Sequence, residues 1–288
     1  MNQPTETLIN LARQHLALGD AQTAADCLNC VLASEPNNLV AHNLREAHAL
    51  DGNYGSWMGV NAQIAPDDDI FRFFANHPTS RHPMRDYLSD GWRTMTELQA
   101  VMEMHGHVLG RSQSFLEFAS GHGRFTRHLV KRLPKGALTV SDVVPGSVNF
   151  LKDLLGVKGF ESCIEPAALR MPETYEHIFV LSLFSHLPES TWGAWLRRLY
   201  EGLAPGGLLI FSTHGQKCAD QAGVNLNEGF AFFGSSESTV IDGQVYGTSF
   251  TSPDFVRSTA NRELGSKVKV EVLPNHFWGN QDAIVIHA

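Results

Sequence analysis

The spacing of apolar positions changes partway along this chain, and the change divides it. Leu8, Leu11, Ala12, Leu16 and Leu18 recur at helical spacing until Gly19-Asp20 interrupts them. The pattern resumes at Ala24, Cys27, Leu28, Val31 and Leu32 and stops at Pro36-Asn37-Asn38. Val40, Leu44 and Ala47 then share one face of a third helix. Residues 51–80, with Gly52, Gly55, Pro66 and Asp67-Asp68-Asp69, keep no sustained period and read as a linker. Within it, Ile70 to Phe74 begins a packed helix, and a further helix is predicted from Trp92 to near Leu109.

From Ser114 onward short apolar runs alternate with amphipathic stretches. Strands are predicted at 114–118, 137–140, 160–164, 178–181 and 208–211, with helices over 125–133, 147–155 and 192–203. Strands separated by helices imply a parallel sheet covered on both faces. Ser252-Pro253 starts another helix, with Ser252 as cap and proline at the first helical position. Val268 to Leu273 and Ala283 to Ile286 follow with no helix between them, which predicts an antiparallel hairpin at the sheet edge. The expected fold is α/β: a doubly wound, mostly parallel seven-stranded sheet ending in an antiparallel hairpin, with a small α-helical N-terminal region. The expected divisions are a helical segment over 1–50, a linker and helical cap over 51–110, and the α/β domain over 111–288.

Composition narrows the function classes. With 43% hydrophobic residues in 288, the chain has enough apolar content for a sizeable core. Its net charge of −8, and the absence of any basic cluster beyond the scattered Arg124, Arg127, Lys131 and Arg132, argue against nucleic acid as a partner. No apolar run approaches the roughly 18 residues that span a bilayer. Met1 to Asn10 lacks the pattern of a secretory signal, so the expected location is the cytoplasm, with no membrane partner. Cys27 and Cys30 form a C-x-x-C inside a helical pattern, while Cys163 and Cys218 stand alone. A zinc site needs more ligands at suitable spacing, so the pair is read as helix packing and no metal is expected.

The segment with most chemical content is Glu117-Phe118-Ala119-Ser120-Gly121-His122-Gly123, at a strand-to-helix junction. Glycine lets a backbone approach a ligand closely, and a helix N-terminus offers unpaired N–H groups. Asp142 ends the second predicted strand 21 residues after Gly121. That is close to the ~20-residue offset at which an acid accepts ribose hydroxyls in nucleotide sites. Leu203-Ala204-Pro205-Gly206-Gly207 adds a glycine-rich turn before the fifth strand.

Phe115 to Arg124 resembles the first motif of class I S-adenosylmethionine-dependent methyltransferases, whose usual form is D/E-x-G-x-G-x-G. Val180 to Leu187, Leu203 to Phe211, Tyr246 to Phe250 with Ser252-Pro253, and Gly279 to Asp282 are similar to later segments of one branch of that family. The resemblance covers roughly residues 80–288. It implies S-adenosylmethionine as cofactor. Glu117, Gly121 and Gly123 would surround its methionine part, Asp142 would hold the ribose, Val143 would lie along the adenine, and Ser182 and Leu183 would border the sulfonium. Glu165 is the candidate acid for the adenine, and Tyr87 is a candidate contact from before the core. Ala119 departs from the motif, since it stands where the first glycine is usual; a methyl there is worse tolerated where the backbone needs positive φ. Glu117 as a helix cap and Asp142 as a turn residue are the plain alternatives.

Methyl transfer from a sulfonium depends mainly on in-line geometry, and a base helps when the acceptor is a hydroxyl. His186 and His214 follow the fourth and fifth predicted strands and are the catalytic candidates, against a structural role for each. The chain has no Asn/Asp-Pro-Pro-Tyr/Phe signature and no Pro-Cys nucleophile, so a small-molecule acceptor is expected by elimination. The long segment from His214 to Phe250, with Phe230, Phe232, Phe233 and Tyr246 among glycines, reads as a lid or binding loop.

Gly19-Asp20, Ala24, Leu32 and Pro36-Asn37-Asn38 resemble one tetratricopeptide repeat, with Ala21 where an aromatic is usual. A single repeat cannot bury its own face, so these helices either cap the core or offer a surface for a protein partner or a second copy. Two other functions compete. One is a non-catalytic adaptor with a retained nucleotide-binding fold. The other is a nicotinamide-dependent oxidoreductase, against which Thr126 stands in place of the third glycine.

Overall fold

The computed structural model describes residues 3–50, 54–236, 238 and 240–288. Met1 and Asn2 of the N-terminal stretch, and Gly52 of the expected linker, lie outside the described residues. The chain packs as two compact units, Met1–Gly91 and Trp92–Ala288. Their boundary falls inside a helix, α6, which spans Pro83–Met104. That helix starts well before the predicted Trp92, because Pro83 fits a first helical turn, where no N–H partner is required.

In the first unit, α1 (Gln3–Ala17) and α2 (Ala21–Ser34) are joined by a short turn through Gly19. Asp20 caps α2 by accepting from the Thr23 N–H at 3.1 Å. Ile9, Ala12, Ala24, Leu28 and Val31 are buried between the two helices. Cys27 belongs to this core while Cys30 is exposed. The third helix, α3 (Leu39–Ala47), is capped by Asn38. Asn43 on it pairs with both backbone groups of Ile64 at 2.9 Å. The expected linker holds two short helices, α4 (Tyr54–Met58) and α5 (Asp69–Asn76). The second contains the helix expected to begin at Ile70, while α4, of five residues, is too short for a hydrophobic period to stand out. Ile64, Phe71, Met84, Tyr87 and Leu88 form a second small core.

The second unit is a seven-stranded sheet with helices on both faces. Its strands in chain order are β1 (Phe115–Phe118), β2 (Leu138–Asp142), β3 (Lys158–Glu161), β4 (Tyr175–Val180), β5 (Leu203–Thr213), β8 (Val270–Phe277) and β9 (Gln281–His287). They lie in the order β3-β2-β1-β4-β5-β9-β8. The first five are parallel, and β9 runs antiparallel to both β5 and β8. The closing hairpin therefore inserts its last strand between β5 and β8. The period of two sorts each strand's side chains. Phe115, Val140, Phe179, Ile210 and Val285 face α6, α7 (Thr126–Leu129) and α8 (Ser147–Leu155). Leu116, Ile178, Leu209, Phe211 and Ile284 face α9 (Glu189–Tyr200) and α11 (Pro253–Leu264).

Two local expectations differ. The helix predicted over 125–133 is α for one turn and then tightens, with Lys131 and Arg132 donating to carbonyls three residues back. The segment between β5 and α11 carries regular elements. It holds α10 (Gln216–Ala222) and an antiparallel pair, β6 (Phe230–Phe233) with β7 (Thr248–Thr251). Among the described residues no helix is long and apolar enough to cross a membrane.

Candidate functional site

Strand order reverses between β1 and β4, since β2 and β3 lie on one side and β5 on the other. At such a switch point the loops after neighbouring strands diverge and leave a crevice at the carboxyl ends. Both loops here begin with left-handed backbone: Ala119 after β1 has φ 61° and Ser182 after β4 has φ 60°. Side chains seldom adopt this region, and such outliers gather at functional sites.

The loop after β1 is held from three directions. Ser120 donates to Ser141 O at 3.2 Å. Gly121 donates its N–H to Asp142 Oδ2 at 2.7 Å, and Oδ1 of the same carboxylate accepts from Val144 at 2.8 Å. Arg127, fully buried, donates from Nε to Gly123 O at 2.8 Å and from Nη2 to His122 O at 3.3 Å. Its place in the scattered basic set gave no sign of this; it braces the loop from behind. Gly123 has φ 85°, where a side chain is strained, and a Cβ there would also displace Leu151 Cδ2, 2.3 Å away.

Two acids meet at this edge. Glu117 is buried, and its Oε2 has no hydrogen-bond partner. Burial pushes its carboxyl up to about 8, against the opposing pull of the Thr126 hydroxyl. Burial likewise raises Asp142, opposed by the N–H groups of Val144 and Gly121. Across the crevice, Ser182 N–H donates to Ser212 Oγ at 2.8 Å, and Gln281 Nε2 lies 3.5 Å from Ser182 Oγ. Gln281 Oε1 is buried without a partner. Gln281 belongs to the segment Gly279 to Asp282, but its neighbour in space is 99 residues away, a pairing that no local spacing announces.

Of the other candidates, Val143 and Leu183 are half-buried at the ends of β2 and β4, while Glu165 is exposed beyond β3. Tyr87 belongs to the first unit. It is buried there, and its hydroxyl donates to Asp68 Oδ2 at 2.6 Å.

His186 and His214 come together beside the inserted hairpin. Their ring centroids are 5.8 Å apart, and Tyr246 stacks on His186 at 4.4 Å. His186 Nδ1 lies 2.6 Å from Gly247 O and His214 Nδ1 lies 3.2 Å from Ser249 O. A carbonyl only accepts, so Nδ1 of each ring is the donor. Backbone bonds from Gly247 to His186, Ser249 to Ser185 and Thr251 to His214 tie the hairpin to the ends of β4 and β5.

Residues 116–209 match a family described as a methyltransferase domain. The malonyl-[acyl-carrier protein] O-methyltransferase of Priestia megaterium is 25% identical over 131 residues, which are 45% of this chain and 47% of that protein. A protein of the same description from Acetivibrio thermocellus is 25% identical over 101 residues, 35% of each chain. The chain thus matches about half the length, or less, of these curated relatives. Among solved structures, Streptomyces venezuelae DesVI has a TM-score of 0.52 at 12% identity, covering 77% of this chain and 98% of that one. The complex of DhpI with SAM and HEP has a TM-score of 0.50 at 16% identity, covering 76% and 94%. At these identities the two structures establish the fold.

Proposed function

We propose, from the methyltransferase domain that residues 116–209 carry, that this chain transfers a methyl group from S-adenosylmethionine to a small-molecule acceptor. The observation that carries the reading is the buried, unpartnered Glu117 Oε2 beside the loop that Asp142 holds. A buried carboxylate lacking a partner suits the cationic methionine part of this cofactor. A Cβ built on Gly121 meets no protein atom within 4 Å, which suits close approach of a ligand to that backbone.

The cofactor, when bound, supplies a methyl group on a sulfonium, already an excellent leaving group. The chain's part is to bind and orient. Glu117, Ala119, Gly121 and Gly123 border the methionine part, Asp142 takes the ribose hydroxyls, and Val143 and Glu165 are the adenine contacts. Ser182 and Leu183 flank the sulfonium. His186 and His214 are the candidate bases on the acceptor side, where an imidazole takes a proton from an acceptor hydroxyl. The β6–β7 hairpin closes that side against water.

A second reading has one observation behind it. Ala119 holds a Cβ in left-handed backbone where the family's motif has glycine, as a retained but inactive scaffold would tolerate. In either reading, α1 and α2 serve as a tetratricopeptide-like pair for a protein partner or a second copy. Calorimetric titration with S-adenosylmethionine and NAD in parallel tests the cofactor: the first binds and the second does not. Turnover of a hydroxyl- or amine-bearing acceptor panel then separates an enzyme from an adaptor.

A further inference from the structure

A cluster at the opposite ends of the strands points to a second site. Helix α6 closes in a Schellman turn: Gly106 donates to Glu103 O at 3.0 Å, His107 donates to Met102 O at 2.9 Å, and Gly106 has φ 80°. The turn fixes His105 at the helix C-terminus, where the carbonyl ends favour a cation. On the sheet, Glu271 of β8 stands opposite Val285 of β9. His287, two residues beyond Val285, therefore projects from the same face as a diagonal neighbour of Glu271. Val285 lies in the core layer it shares with Val101 and Met102, so this is the face that α6 covers.

Three elements thus converge on one point. Glu271 Oε1 is 3.8 Å from His105 Nδ1 and 4.0 Å from His287 Nε2. One ligand-capable atom from each residue falls within 4.8 Å of the others. His105 Nε2 and His287 Nε2 are buried with no hydrogen-bond partner. Nitrogen and oxygen ligands about 2.0–2.2 Å from a tetrahedral ion stand about 3.4 Å apart, so small side-chain rotations complete the set. The side chains of His105, Glu271 and His287 are 5%, 34% and 27% exposed, so solvent reaches the open side. Two imidazoles with one carboxylate suit zinc and its neighbours, not calcium or magnesium. Lys269 contacts Glu271 Oε1 and is 62% exposed, so its ammonium is a competing cation that can swing into water. His107 is engaged elsewhere, with its Nδ1 2.9 Å from His177 Nε2.

We propose that His105, Glu271 and His287 form a site for a divalent transition-metal ion of the zinc class, completed by water. This departs from the metal-free expectation drawn from the cysteines, because no ligand spacing in the chain announces it. The ion ties the last turn of α6 to β8 and β9. His287 pairs with Leu208 and the cofactor edge begins at Thr213 on the same strand, so roughly 17 Å of extended chain separates the two. The ion acts on stability and takes no part in methyl transfer.

Cobalt(II) titrated into the chelator-treated full chain tests this. One equivalent binds, giving visible d–d bands without thiolate charge transfer; zinc displaces it, and saturating zinc raises Tm. His105→Ala and His287→Ala each weaken binding by roughly 100-fold and Glu271→Gln by roughly tenfold. Lys269→Met, a change at an exposed side chain that leaves the core intact, tightens it. Thiolate bands, undiminished binding in the double histidine variant, or no gain in Lys269→Met would each overturn the proposal.

Discussion

The N–H of Gly121 donates to Oδ2 of Asp142 at 2.7 Å, joining the loop after β1 to the end of β2. One side chain thus both shapes the loop and offers its remaining lone pairs outward. Asp142→Ala removes charge-assisted bonds of about 1.5–3 kcal/mol each. S-adenosylmethionine affinity is expected to fall by about 10- to 100-fold in a protein whose circular dichroism is unchanged. Unchanged affinity in calorimetry would end the ribose assignment.

Ala119 offers a test of strain. A left-handed alanine costs about 1–2 kcal/mol, and glycine returns part of that to the unfolded chain as entropy. Ala119→Gly is therefore expected to raise Tm by about 1–3 °C, given the size of this unit. Ala119→Val, bulkier at the same φ, is expected to lower it. Differential scanning calorimetry decides, and a lower Tm for the glycine variant contradicts the strain argument.

Glu117 sets a pH dependence. Burial holds its carboxyl near 8, so it is protonated at neutral pH in the ligand-free protein. A cationic ligand favours the ionised form, so binding below about 8 releases a proton. Affinity then rises with pH, by up to about tenfold per unit, and levels off above that value. Calorimetry at pH 7 in buffers of different ionisation enthalpy measures the release. In Glu117→Gln the release attributable to this group disappears; if it persists undiminished, the proton comes from elsewhere.

The inserted hairpin carries Phe232, half-buried, and Phe233, exposed. If it closes over the acceptor, replacing both with alanine lowers turnover at least tenfold, about 1.4 kcal/mol of barrier, with cofactor affinity nearly unchanged. His186→Gln is expected to behave alike, lowering turnover with cofactor affinity nearly unchanged. Full turnover in the phenylalanine double variant would remove the lid role.

Much of this protein follows from local rules. The short apolar run at Phe115–Phe118 and the period near four in Leu8–Leu32 announce strand and helix, because a central strand is buried on both faces and a packed helix on one. Ser252-Pro253 starts α11, with Ser252 Oγ accepting from Phe255 at 3.1 Å, because caps act within a single turn. Glu117, Gly121, Gly123 and Asp142 could be picked out because strand-end glycines and acids sit at fixed short offsets. What lay beyond the sequence is long-range. The burial of Arg127 under the loop, the meeting of Gln281 with Ser182, and the stacking of Tyr246 on His186 each join segments that only packing brings together. The left-handed turn at Ala119 breaks the residue's own preference, so composition could not foretell it. The convergence of His105, Glu271 and His287 depends on the register of β8 against β9 and on where α6 ends. A register is decided by which faces the whole sheet must bury, not by any one strand's pattern, and so tertiary structure alone brings these side chains to one point.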